Sequence, residues 1–422
     1  MREMKDSGIE WVGQIPFSWD VKPIRAKFRE VTEKNKLGIE KNALKFTYGN
    51  IVKKDNFDAA DDDYVANTIL NYMVVNPGTI MLNGLNLNFD FVTQRVALVK
   101  ERGIITSAYI AFAPILDDDI STQFFTYLLK AYDSCKAFHN MGGGVRKILN
   151  FAELKKQYIV YPTITEQKRI ANFLDAKCAE IDALTADIQT QIGILEQYKR
   201  SIITEAVTKG LNPDVEMKDS GIEWIGEIPV TWDIIRGKYL LKYLQKPVKE
   251  DDGVITCFRD GEVTLRSNRR EDGFTMSDKE IGYQGIDAGD LVVHGMDGFA
   301  GAIGISDSRG KASPVLNVMD TKQNKRYIMY YLRSMAYSDV FVALATGIRV
   351  RSCDLRWNKL ADLPYPVPSI EEQTAIVEYI DTTLEKTDVV ISKKKAQLET
   401  LDEYKKSLIY EYVTGKKEVP SI

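Results

Sequence analysis

Two stretches of the chain place apolar residues at alternating intervals of three and four. The first runs through Ile170, Leu174, Cys178, Ile181, Leu184, Ile188, Ile192, Leu195, Tyr198 and Ile202. The second runs through Ile376, Ile380, Leu384, Val390, Leu398, Leu401, Tyr404 and Leu408, with Thr387 and Lys394 as polar exceptions. This spacing lays one apolar stripe along a long α-helix, as in a coiled-coil seam. Each stretch opens on a proline followed by a capping box, Thr163-x-x-Glu166 or Ser369-x-x-Glu372, in which hydroxyl and carboxylate satisfy orphan amides of the first turn. Each closes at a glycine, Gly210 or Gly415, able to take the positive φ that ends a helix. At ~1.5 Å per residue each helix would be roughly 65 Å long, a spacer. The stripes fit either a bundle core or antiparallel packing of the two helices on each other. The second is preferred because neither helix has another partner of equal length, and it creates a pseudo-twofold axis.

The helices are part of a larger repetition. MKDSGIEWVGQIPFSW at 4–19 returns as MKDSGIEWIGEIPVTW at 217–232, and PTITEQKRIANFLD from Pro162 returns as PSIEEQTAIVEYID from Pro368. Weaker echoes lie between, 78–84 against 289–295 and GGGVRK from Gly142 against TGIRVR from Thr346. The expected class is α+β: two mixed α/β domains joined and separated by two long antiparallel helices. The boundaries read as domain 1–162, helix 163–209, linker 210–216, domain 217–367, helix 368–414 and tail 415–422. The linker corresponds to the C-terminal tail running on to the N-terminus, so the organisation is circular.

Charge refines the roles of these parts. Residues 164–207 hold seven acidic against five basic side chains and 370–412 ten against six, so the helices carry −6 of a chain total of −4, leaving about +2 elsewhere. A DNA phosphate backbone would repel the helices, which read better as protein-docking surfaces. Basic clusters sit in the domains: Arg259, Arg266, Arg269 and Arg270, then Arg349, Arg351, Arg356 and Lys359. In the first domain Lys53, Lys54, Arg95, Arg146 and Lys147 are interleaved with Tyr48, Asn50, Asn83, Asn86, Asn88 and Gln94. Arg and Lys suit guanine in the major groove, Asn and Gln adenine. Asn268, His294 and Lys311 complete the candidate surface of the second domain. Gly143 and Gly347, in the two echoing glycine segments, could expose amides to a phosphate, or simply turn the chain. Taken singly, each of these side chains also reads as a solvated surface group.

The remaining inventory points away from catalysis. There is no phosphate loop GxxxxGK[ST], no Asn/Asp-Pro-Pro-aromatic tetrapeptide and no cofactor-binding glycine loop; GMDGFAGAIG reads as strand-turn-strand. Asp61 to Asp63 could ligate a metal, but consecutive carboxylates diverge and no lysine is suitably placed. Four scattered cysteines and two histidines argue against structural zinc. No run reaches the roughly 20 apolar residues of a membrane span and no signal peptide is evident, so a cytoplasmic location is expected.

On the motifs DSGIEWVGQIP and DSGIEWIGEIP, and the helix openings 162–167 and 368–373 of pattern Pro-x-x-x-Glu-Gln, the chain resembles the specificity subunits of type I restriction-modification systems. GDLVVHGMDGFAGAIGIS with GKASP after it also resembles a target-recognition domain of that family, whereas the first domain has NGLNLNFDFVTQRV in the corresponding place. The resemblance implies two target-recognition domains, each reading one half of a split double-stranded DNA site, with the helices setting the spacing. It implies docking of two modification subunits carrying S-adenosylmethionine and of two restriction subunits using ATP and Mg, no cofactor or metal on this chain, and no membrane. A helical scaffold without base readout is the alternative.

Overall fold

The computed structural model describes residues 2–54, 69–92, 94–116, 118–269, 281–344 and 355–420, and the structural statements below concern these. The chain divides into two compact units, Met1–Ile188 with Ala396–Ile422, and Gln189–Lys395. Four helices organise them: α1 (Thr122–Ser134), α2 (Ile164–Lys209), α3 (Lys325–Tyr337) and α4 (Ile370–Val413). The two long helices, α2 and α4, each contribute one part to each unit.

In the first unit, Phe28–Glu30, Ile110–Pro114, Ile80–Leu82 and Val96–Leu98 form, in that order, a four-stranded antiparallel sheet. Ile80–Leu82 is apolar at three successive positions because both of its faces are covered. Over this sheet α1, capped by Ser121 accepting from the Phe124 amide (3.3 Å), buries Phe124, Phe125, Leu128 and Tyr132. The same core takes Ile170, Leu174, Cys178 and Ile181 of α2 and Leu408, Ile409, Tyr412 and Val413 of α4. Flanking pairs join Met4–Asp6 to Gln14–Pro16, Asp20–Pro23 to Tyr158–Tyr161, Leu44–Thr47 to Asn50–Lys53, and Met73–Val75 to Gly103–Ile105.

The second unit has the same parts in the same order. Its sheet runs Leu241–Tyr243, Leu316–Thr321, Leu291–His294, Ile303–Ile305, with α3 over it. The flanking pairs are Met217–Asp219 with Glu227–Pro229, Asp233–Arg236 with Pro364–Val367, Ile255–Cys257 with Val263–Leu265, and Gln284–Ile286 with Gly310–Ala312. The repetition of fold is therefore complete where the repetition of sequence is faint, and the α+β class with two equivalent halves holds.

The sequence motifs acquire physical roles in each unit. Gln167, fully buried, accepts from the Ser121 amide (2.8 Å) and donates to the Pro162 carbonyl (2.9 Å), and Gln373 does the same with Asn324 (2.9 Å) and Pro368 (2.9 Å). The glutamine of the helix opening thus pins a long helix to the start of α1 or α3. Gly415, at φ +72°, packs on Pro16 and Trp19, and Gly210, at φ +73°, packs on Trp232 and Pro229. The IP-x-x-W segment of each repeat is the socket for a long helix's C-terminal end. Half of each capping box forms, since Thr163 and Ser369 accept the amides of Glu166 (3.4 Å) and Glu372 (3.2 Å). The Glu166 carboxylate instead accepts from the Trp19 indole (2.9 Å) and pairs with Arg2 (2.6 Å).

The long helices run antiparallel: in the first unit Phe173 meets Tyr412 (ring centroids 4.5 Å apart) and Asp182 meets Lys405 (2.6 Å), and in the second Lys199 meets Asp388 (2.5 Å). The expected seam is only partly the buried one. Ile170, Leu174, Ile181, Ile188, Ile376, Ile380 and Leu408 are buried, and Ile192, Leu195, Leu384, Leu398 and Leu401 half-buried. Thr387, a polar exception within the expected stripe, is buried, but Leu184 is 48% exposed and Val390 41% exposed, with Ile391 buried in place of Val390. The reading fails there because, beyond the residues packed in the two domain cores, only the partner helix covers each face. A straight helix also drifts about 20° per heptad from a strict 3.5 repeat.

Each unit also carries an ion network at its flanking strands. Arg309 bridges Asp252 (2.8 Å) and Asp287 (2.7 Å), and Lys246 bridges Asp287 (2.7 Å) and Asp290 (2.6 Å); in the first unit Arg102 joins Glu40 (3.0 Å) and Asn76 (2.7 Å). Hydrogen bonds from Arg309 hold the Asp252 carboxyl down at about 2, and Arg309 with Lys246 lowers that of Asp287. A carboxyl depressed in the folded state stabilises it above the unfolded value of about 3.9, and that contribution is lost as pH falls towards the folded value. The thermal midpoint of the second unit is therefore expected to drop between about pH 4 and pH 2, and Arg309→Met to flatten that drop. A pH profile identical in the two proteins would refute the assignment.

The chain's two ends meet in the first unit, where Arg2 pairs with Glu418 (3.1 Å) and the Phe17 amide donates to Glu3 (2.8 Å); in the second unit the Val230 amide donates to Glu216 (2.9 Å) in the same way. Joining the ends and reopening the chain near Asn212 is accordingly expected to give a protein with near-native helix content, an unfolding free energy within about 1 kcal/mol of the parent and intact function. A permutant that folds but no longer functions would contradict the equivalence.

Candidate nucleic-acid interface

Three loops of the first unit converge. The tip of the 44–53 hairpin, where Tyr48 (φ 47°) is 75% exposed, lies on Gln94; a Cβ on Gly49 would fall 2.7 Å from the Gln94 amide oxygen, so only glycine allows this approach. The second loop, 83–95, joins the sheet strands Ile80–Leu82 and Val96–Leu98. It is tied to the third, 142–148, by Asn88 donating to Val145 (2.9 Å), Leu87 to Lys147 (3.2 Å) and Leu149 to Gly84 (2.9 Å). Tyr48, Asn50, Asn86, Gln94 and Arg146 are exposed on these loops, with Asn83, Asn88 and Lys147 half-buried among them. Lys53 and Lys54 are exposed at the other end of the hairpin and do not join this group.

Two candidates are corrected. Arg95 is fully buried, and its guanidinium donates to the carbonyls of Asn83 (3.1 Å), Leu85 (2.8 Å), Asn86 (3.4 Å) and Asp90 (2.7 Å). It shapes the loop from beneath and is closed off from the surface. Gly143 is exposed, but its amide and carbonyl pair with Ile148 (3.3 and 3.0 Å), so the segment is a hairpin turn whose amide is already used. Sequence reasoning also missed the apolar character of this face: Phe89 is 69%, Val92 92% and Val145 91% exposed. In sequence such residues look like core, and the only hint was their crowding among asparagines.

The second unit presents the equivalent loops differently. The turn 258–262 packs on the glycine series, where a Cβ on Gly304 would lie 2.0 Å from the Gly261 carbonyl and one on Gly301 2.8 Å from that of Arg259. Arg259 pairs with Asp297 (2.8 Å), and Arg269 with Asp260 (2.6 Å) and Glu262 (3.0 Å) over the Phe258 ring (4.2 Å). Exposed pairs of this kind exchange at a cost of about 0–1 kcal/mol, so they orient a guanidinium without committing it. His294 uses Nδ1 to accept the Met296 (3.2 Å) and Asp297 (2.9 Å) amides, which puts its proton on Nε2; burial lowers its pKa and keeps it neutral. Arg266 donates to Thr256 (3.3 Å) and Asn268, exposed, to Thr264 (2.9 Å), while Lys311 is half-buried in the strand Gly310–Ala312. Arg270, Gly347, Arg349, Arg351 and the acidic run at 61–63 lie outside the described residues. Leu355, which follows the 345–354 segment, donates to Gly295 (2.9 Å) as Leu149 does to Gly84, so GGGVRK and TGIRVR precede equivalent anchors.

Residues 23–193 match the family described as the type I restriction modification DNA specificity domain. The chain is 25% identical over 364 residues to the type I restriction enzyme MjaVIII specificity subunit of Methanocaldococcus jannaschii, covering 81% of this chain and 80% of that protein. Its fold matches a chain from a type I restriction-modification system solved for its complex assembly and conformational transition (12% identical, TM-score 0.67, 96% of this chain and 99% of that one). It also matches the HsdS subunit from Thermoanaerobacter tengcongensis (12%, TM-score 0.51, 96% and 98%). The chain is thus similar, over most of its length, to a type I restriction enzyme specificity subunit, and it shares the fold of the solved subunits. Among the described residues no helix is long and apolar enough to cross a membrane.

Proposed function

We propose that the chain reads a bipartite, asymmetric double-stranded DNA site, one half with the loops of each unit, and directs a methyltransferase to it without catalysis of its own. The observation that carries this is a single topology, repeated strand for strand, that presents two chemically different loop surfaces. One is asparagine-rich and apolar with Arg146 and Lys147; the other holds arginines between carboxylates. Two unlike readers on one frame should read two unlike half-sites. The α2–α4 helices, acidic and bearing exposed Leu184, Ile194, Tyr198, Val389 and Tyr404, suit protein docking. Two copies of a modification subunit there follow from pseudo-symmetry. S-adenosylmethionine would come with those subunits, ATP and Mg with two restriction subunits, in the cytoplasm.

Methylome sequencing of cells expressing the chain with its modification partner is expected to show a two-part motif with an unread spacer. Methylation at one contiguous palindrome would refute the reading. Methylation unaffected by Arg146→Ala with Lys147→Ala would favour a scaffold, which the apolar helix surface alone would also suit.

A further inference from the structure

The repeated helix-opening segments end on Asp175 and Asp381, and the structure gives both carboxylates the same partner. In the first unit Tyr127 of α1 donates to Asp175 (2.8 Å), which Gln123 also reaches; in the second, Tyr330 of α3 donates to Asp381 (2.5 Å), which also pairs with Arg326 (2.5 Å). The registers coincide: each aspartate lies eight residues beyond the buried glutamine (167 to 175, 373 to 381), and each tyrosine six beyond the residue whose amide that glutamine accepts (121 to 127, 324 to 330). Neither the recognition loops nor the exposed helix surface uses these groups.

Each reader helix is therefore hydrogen-bonded to its long helix at two points, about 12 Å apart at ~1.5 Å per residue, on either side of the apolar contacts made by Ile170 and Leu174 or by Ile376 and Ile380. Two such points fix an angle where one would allow rotation. Releasing one by ~1 Å permits a tilt of about 5°, which moves loops one small-domain diameter (~30 Å) away by ~2.5 Å. The rise per base pair is about 3.4 Å.

We propose that Tyr127–Asp175 and Tyr330–Asp381 are matched positioning couplings that hold each reader at a set angle on its helix and so define the length of unread DNA between the half-sites. This rests on the bipartite reading above. The residues contact no base, so their loss should change which spacers are accepted and leave the bases read unchanged.

The test is methylation, by the chain complexed with its modification partner, of a plasmid library in which the two half-sites are separated by the native spacer or by one base pair more or less. Tyr127→Phe with Tyr330→Phe is expected to raise methylation at the neighbouring spacers, relative to the native one, by about fivefold to tenfold, the scale of one ordinary net hydrogen bond. Half-site preferences should not change. Asp175→Asn and Asp381→Asn keep an acceptor for the tyrosine and should retain the parental spacer profile; Asp175→Ala and Asp381→Ala should not. An unchanged spacer profile in the double Phe variant, with native-site methylation intact, overturns the proposal, as does broadened base preference at equal spacing. A parent protein that methylates no two-part site would overturn the bipartite reading instead, and the coupling with it.

Discussion

Arg95→Met is expected to destabilise the first unit by about 3–5 kcal/mol and to collapse the loop 83–92, although the residue has the side chain of a DNA contact. The guanidinium is fully buried and donates to four backbone carbonyls within one loop, with the Asp90 carboxylate at 3.5 Å. Methionine fills much of the volume but takes from those carbonyls the guanidinium's hydrogen bonds, at about 1 kcal/mol or more each, while the Asp90 carboxylate keeps the Val92 amide (3.1 Å). Urea unfolding of the chain should show the lowered midpoint, and amide exchange should show the loss concentrated at 85–90. The recognition consequence is one-sided: reading of the first half-site should fail while that of the second persists. An unfolding free energy within about 0.5 kcal/mol of the parent, the range of ordinary surface substitutions, would return Arg95 to the recognition surface.

The case of Arg95 shows where sequence reading runs out. Charge and neighbours, Gln94 before it and asparagines upstream, suggested a base contact, because nothing in one dimension shows that the loop 83–90 folds back over the side chain. The long helices were legible because their cues are local: a stripe at 3.5 spacing, a hydroxyl cap, a glycine stop. The middle of the seam was not, since whether Leu184 or Ile391 is covered depends on what stands beside the helix. The duplicated fold was legible at its ends, where 4–19 and 217–232 are nearly identical, and barely in the sheets. There, Gly84 with Leu149 and Gly295 with Leu355 preserve one contact while nearly every other residue differs. The frame constrains residues at close backbone approaches and leaves the loop tips open to change. A fixed scaffold that presents two unlike loop surfaces needs that division, and it is why Phe89 and Val92 carry no signal beyond their own oddness.

The socket on the repeated IP-x-x-W segment carries the other large expected effect. Trp232 is fully buried, its ring against Gly210 at the end of α2, where a Cβ would come within 3.2 Å, and edge-on to Tyr327 (6.5 Å between centroids). The Tyr327 hydroxyl in turn donates to the carbonyls of Val207 (3.1 Å) and Pro366 (3.0 Å), so the tryptophan backs the contact that holds the last turn of α2 to α3. Trp232→Ala should cost about 3–5 kcal/mol, from lost burial and an incompletely collapsed cavity. Amide protection should fall first at 203–209, where Ile203, Ala206 and Val207 enter the second unit's core. Gly210→Ala attacks the same joint from the other side and faces both the tight approach and a backbone at φ +73°, so it should lower the midpoint in the same region, though by less. The joint fastens a long helix to the second unit, and on the proposed function Trp232→Ala should therefore impair methylation even where the chain remains mostly folded. Loss of stability spread evenly over the second unit, with 203–209 as protected as the sheet, would show that Trp232 is ordinary core and that the helix end is held elsewhere.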